Sequence, residues 1–197
     1  MKSLGIPGND PSEPFKYSCP TVKLPADAAY AMESRNVASV LENLQPIPSL
    51  HLDSSYVDRT QDTVNMMLFV LGPAYMYRIP DKLLNPESFE WYHESRGKLL
   101  GASLYELAKH PDWSGETAWK KAEAGFEETR KLLSENPNGP FIMGEEVSYA
   151  DFVLAAWWMA STKLNEAGDL FDRMMGYDPS FGEHWKACQP YFERDDH

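Results

Sequence analysis

The chain has 197 residues and a formal net charge of −12, from 18 Lys and Arg against 30 Asp and Glu. That balance, with no basic cluster, argues against a nucleic-acid phosphate backbone or an anionic membrane surface as partner. With 43% hydrophobic and 13% aromatic residues, the composition is that of a globular protein with a real core. The two cysteines, Cys19 and Cys188, read as reduced thiols rather than a disulfide scaffold. The apolar run Met66 to Tyr77 is interrupted at Gly72-Pro73 and is too short to span a bilayer. The opening residues carry no signal-peptide pattern and no glycosylation sequon occurs, so a cytoplasmic setting is expected.

Prolines and glycines punctuate the first 48 residues. Thr21–Leu24 and Ala29–Met32 read as short strands, and Pro25-Ala26-Asp27 between them as a turn, giving a hairpin. Val37, Val40, Leu41 and Leu44 fall on one face of a helix predicted over Asn36–Leu44, which Pro46 and Pro48 end.

From residue 53 to 197 the pattern is helical. Val57, Thr60, Val64, Met67 and Leu71 form one stripe. Phe89, Tyr92, Leu99, Leu100 and Leu107 form a second, and Trp119, Ala122, Phe126 and Leu133 a third. Ser148, followed three residues later by Asp151, reads as a capped helix start. The helix behind it, Asp151 to about Glu166, is apolar nearly all round and is expected to be buried, with Gly168 at its end. A last helix is predicted over Ser180–Cys188.

Four stretches carry a resemblance: YSCPTVKLP (Tyr17–Pro25), YAMESRNVASVLENL (Tyr30–Leu44), RGKLLGASLYELA (Arg96–Ala108) and FIMGEEVSYADFVLAAWW (Phe141–Trp158). In this order they resemble the cytosolic glutathione S-transferases, of the fungal etherase-like type. The resemblance implies a mostly α fold. A partial thioredoxin-like α/β module (residues 1–48) precedes an all-α C-terminal helical domain (residues 53–197). The family's usual opening strand, helix and strand has no counterpart, since KSLGIPGNDP resembles the end of the second helix. The residue that activates the thiol belongs to that opening, so no catalytic residue is assigned by motif. A truncated reading frame and a degenerate, non-conjugating homologue both remain open.

The resemblance implies glutathione as co-substrate, no metal, a small hydrophobic molecule as second ligand, and commonly a homodimer. It marks Pro20 as a cis-proline that makes Cys19 offer its backbone to glutathione like an added strand. By itself the residue reads rather as an ordinary trans proline opening a strand, since cis bonds are rare. Glu33 and Ser34 precede a helix, and an acid plus a hydroxyl there can receive the ammonium and carboxylate of the γ-glutamyl group. A plain N-cap at Ser34 is the alternative. Cys19 reads as a small apolar residue or as a partner for the glutathione sulfur. Met66, Met67 and Tyr75 are the residues implied to border the hydrophobic ligand, and a core stripe is the other reading. The five histidines show no metal-ligand spacing.

Overall fold

A computed structural model describes residues 1, 5–9, 11, 16–24 and 29–193. It divides into two compact units, Met1–Leu52 and Asp53–His197.

In the first unit, β1 (Thr21–Lys23) pairs antiparallel with β2 (Tyr30–Met32) in the register Thr21↔Met32, Val22↔Ala31 and Lys23↔Tyr30. The predicted turn at Pro25-Ala26-Asp27 lies outside the described residues. Helix α1 (Ser34–Leu44) follows at once and buries Val37 and Ala38. Its start differs from the plain-cap reading: Ser34 is already helical, and Glu33 holds the cap position without a cap hydrogen bond from its side chain. Beyond α1 the Glu42 carboxylate accepts hydrogen bonds from the Ser49 hydroxyl (2.7 Å) and the Leu50 N–H (2.8 Å), which folds the proline-rich segment back on the helix.

The second unit is built from α2 (Ser55–Tyr75), α3 (Ile79–Leu83), α4 (Phe89–Leu100), α5 (Leu104–Leu107), α6 (Gly115–Ser134), α7 (Tyr149–Leu164), α8 (Phe171–Met175) and α9 (Pro179–Cys188). Ser54 caps α2, its hydroxyl accepting from the Tyr56 N–H. α2 packs on both α6 and α7. Met67, Leu71, Phe126, Leu154 and Trp158 close the core between them, all 1% exposed or less. A side chain at Gly125 would sit 2.6 Å from Met67 Cγ, so glycine is what lets α2 and α6 approach this closely. The stripe read through Leu99, Leu100 and Leu107 does not hold as one helix. Gly101 adopts φ 75° and ends α4, and Leu99 and Leu100 are left exposed.

α7 starts two residues before the expected position, with Ser148 in the cap position. A helix start inside a core must satisfy its donors there. Asp151 does this. Its Oδ2 accepts from the Ser148 N–H and hydroxyl, both at 2.8 Å, and its Oδ1 accepts from the Ile142 N–H at 2.8 Å. α7 ends at Leu164, and Gly168 (φ 80°) lies in the following loop instead of at the helix end.

Candidate functional site

In the hairpin unit, Thr21↔Met32 is the last pair of the ladder on one side. Cys19-Pro20 and Glu33-Ser34 therefore leave the sheet at the same end, from adjacent strands. The Cys19–Pro20 peptide is cis, as is Ile47–Pro48. Glu33 has φ 74° and ψ 132°, a backbone conformation unusual for a residue with a side chain. Asn9, which the sequence reading did not single out, ties this end together: its side-chain amide donates to Glu33 Oε1 (3.1 Å) and Ser18 Oγ (3.3 Å). Ser18 in turn accepts the Thr21 hydroxyl at its carbonyl (2.7 Å). The result is a small polar rim holding an exposed cysteine, an exposed carboxylate and the start of an α-helix. Chemically, it offers a strand-like backbone edge, one negative charge, and helix N–H groups that suit an anion.

In the helical unit, the expected pocket residues separate. Tyr75 lines a cavity of about 440 Å³, a size usual for small-molecule sites. Met67 is wholly buried in the core under Thr129, while Met66 is 44% exposed, and neither lines this cavity. The cavity walls are the rings of Tyr75, Tyr77, Tyr105 and Trp119. The Tyr75 hydroxyl donates to the Asp169 carbonyl (2.9 Å) and accepts from Trp119 Nε1 (3.1 Å), so it is satisfied both as donor and as acceptor, and the Arg78 guanidinium lies over the ring, 5.0 Å from its centroid. Burial pushes the Tyr75 hydroxyl above its ordinary range, against the opposing Trp119 bond, which keeps it neutral. Tyr105 stacks on His93 (ring centroids 5.1 Å apart), and His93 packs against Phe89.

Arg78 fixes the cavity floor. Its guanidinium, only 9% exposed, donates to both Asp169 carboxylate oxygens (2.9 and 2.6 Å), to the Leu164 carbonyl (2.9 Å) and, through Nε, to the Tyr77 hydroxyl (3.1 Å). Burial, the largest single influence, favours a protonated Asp169, but the Arg78 hydrogen bond, the backbone N–H bonds and the Arg78 charge together outweigh it and hold the carboxyl below its ordinary value. None of these partners was visible in the sequence, because Arg78 and Asp169 stand 91 positions apart. Cys188 is buried 3.6 Å from His184 Nε2. Burial, with the Asp151 charge behind it, pushes its thiol up to about 12, so it is no nucleophile at neutral pH.

The family model described as glutathione S-transferase, C-terminal domain, matches residues 52–191. The chain belongs to that family. No curated protein matches the sequence. Among solved structures, a glutathione S-transferase of Ceriporiopsis subvermispora in complex with glutathione superposes with a TM-score of 0.79 at 21% identity, covering 100% of this chain and 80% of that one. A second from the same organism, also with glutathione, gives 0.70 at 24%, covering 98% and 78%. Glutathione transferase GSTFuA3 of Phanerochaete chrysosporium gives 0.74 at 23%, covering 96% and 77%. At these identities the likeness carries the fold. This glutathione S-transferase family member is mostly helical, with a short thioredoxin-like part followed by the helical domain. Among the described residues no helix is long and apolar enough to cross a membrane.

Proposed function

We propose that this family member binds glutathione at the open end of its hairpin and joins it to a small hydrophobic electrophile held in the helical domain. The observation that carries the reading is the ladder register, which brings Cys19-Pro20 beside Glu33-Ser34. The Cys19 backbone pairs with the cysteinyl part of the peptide as an added strand would. The Glu33 carboxylate pairs with the γ-glutamyl ammonium, while the Ser34 hydroxyl and the α1 N-terminus take the neighbouring carboxylate. The co-substrate lies against Tyr75 and the aromatic walls around it. In the reaction the glutathione thiol loses its proton and the thiolate sulfur bonds to the electrophilic carbon. The displaced group, a halide or an ether oxygen, departs with the bonding pair. Detoxification and specialised-metabolite assembly in a fungal cytoplasm both use such a step.

A second reading is a glutathione-binding module without turnover, which the same hairpin end would serve through backbone pairing and the Glu33 carboxylate alone. Incubating purified full-length protein with glutathione and a chloro-dinitrobenzene separates the two. Thioether formation above the uncatalysed rate is expected for the transferase. Retention on glutathione resin without turnover supports the module, and neither result removes both readings.

A further inference from the structure

Glu33 is exposed, stands between β2 and α1, and makes no cap hydrogen bond to the helix it precedes. A long exposed side chain of this kind samples many rotamers unless something holds it. What holds this one comes from far along the chain. The Asn9 side-chain amide donates to Glu33 Oε1 at 3.1 Å, the one hydrogen bond to that carboxylate among the described residues. The nitrogen side of the amide faces Glu33, because an ionised carboxylate only accepts. Asn9 is itself placed by backbone pairing, its N–H donating to the Lys16 carbonyl at 2.8 Å. On the other side of Glu33, the Asn36 amide in the first turn of α1 donates to the Met32 carbonyl (3.1 Å). One asparagine thus fixes the backbone just before Glu33, and another fixes its carboxylate.

We propose that Asn9 is a positioning residue for glutathione: it holds the Glu33 carboxylate by Oε1, so that Oε2 is presented to the γ-glutamyl ammonium. The inference rests on the peptide-site reading of the hairpin end and adds the residue that sets its acid. Oε2 has no partner among the described residues, and a carboxylate can accept there while its other oxygen is held. The chemistry of the donor matters. A lysine or arginine at this place would cancel the charge that an ammonium needs, whereas a neutral amide orients the carboxylate and leaves its charge intact. Holding the side chain before the peptide arrives also takes an ordering cost out of binding. The two sides of the site depend on Asn9 unequally. Its bond to Ser18 Oγ, beside Cys19, is long at 3.3 Å. Ser18 keeps two others, from its N–H to Met32 Sδ (3.1 Å) and from the Thr21 hydroxyl to its carbonyl. The cysteinyl side therefore stays in place without Asn9, and the γ-glutamyl side does not.

Calorimetric titration of the full chain with glutathione and with cysteinylglycine, the same peptide without its γ-glutamyl end, tests this. The chains compared are wild type, Asn9→Ala, Asn9→Lys, Glu33→Ala and the double variant of Asn9→Ala with Glu33→Ala. Asn9→Ala should bind glutathione about fivefold more weakly, the scale of one hydrogen bond, and bind cysteinylglycine as wild type does. Asn9→Lys should weaken glutathione further than Asn9→Ala, because it keeps a donor but cancels the charge. Beside Glu33→Ala, Asn9→Ala should cost glutathione nothing more, as expected for two residues acting through one contact. A purely structural role would lower the affinity for both peptides and would act in both backgrounds. Either of those results overturns the proposal, as does an Asn9→Ala or Asn9→Lys chain that binds glutathione like wild type. They leave the peptide site itself standing. Equal affinity of the wild type for the two peptides, or binding of neither, removes the peptide-site reading and this proposal with it.

Discussion

Replacing Asp151 by asparagine is expected to cost the protein about 3 kcal/mol of stability, from the two buried donors it would leave facing an amide N–H₂. Asp151 is fully buried, and its carboxylate receives four donors: the Ile142 and Ser148 N–H groups, the Ser148 hydroxyl and His184 Nε2 at 3.1 Å. The last assignment follows from Trp158, whose indole N–H can only donate. It donates to His184 Nδ1 (3.3 Å), so the imidazole proton sits on Nε2 and points at Asp151. An amide keeps one accepting oxygen and turns two N–H bonds toward groups that also donate. Ser148→Ala removes one hydroxyl contact and should cost about 1 kcal/mol, the usual size of a lost cap. Urea unfolding followed by helical circular dichroism checks both. A loss below about 1 kcal/mol for Asp151→Asn would mean that the Ser148–Asp151–His184–Trp158 chain does not hold α7 in place.

Arg78→Met should lower stability by about 2 kcal/mol, less than for a wholly buried pair because Asp169 is 39% exposed and can be rehydrated. Methionine fills much of the same volume but leaves the Leu164 carbonyl without its guanidinium donor and frees the loop that carries Asp169. The variant also makes a pH statement. In the folded protein the Asp169 carboxyl lies below its ordinary 3.8, so its contribution is present above that value and is lost as pH falls through the folded value. The stability gap between wild type and Arg78→Met should therefore be widest near neutral pH and narrow below about pH 4. A gap that stays constant through acid would place the effect of Arg78 in packing alone.

The capped, buried helix was legible because its signals are local: Ser148 and Asp151 are three residues apart, and an apolar run follows. The α6 stripe was legible for the same reason. The α2 stripe held too, with Met67 turned inward as read, although four successive apolar residues in Met66-Met67-Leu68-Phe69 leave the other three at least 40% exposed. Leu99 and Leu100 look like part of a stripe until Gly101 ends the helix in the left-handed region. The rest was beyond reach because it is long-range. His184 meets Asp151 across 33 positions, and Asn9 reaches Glu33 across 24. The cavity itself exists only once Arg78 gathers Tyr77, Leu164 and Asp169. The positive φ at Glu33 carried no local sign either, since turns of that kind usually hold Gly or Asn.

The glutathione reading depends on a γ-glutamyl group being received by Glu33. Titrating the full chain with glutathione and with cysteinylglycine, which lacks that group, tests this most directly, in wild type and in Glu33→Gln. Glutathione is expected to bind at least tenfold more tightly than the dipeptide, as a charge-assisted hydrogen bond allows. Glu33→Gln should remove about that factor for glutathione and change cysteinylglycine little. Equal affinities for the two peptides, or a Glu33→Gln chain that binds glutathione as the wild type does, would contradict the assignment of the hairpin end as the peptide site.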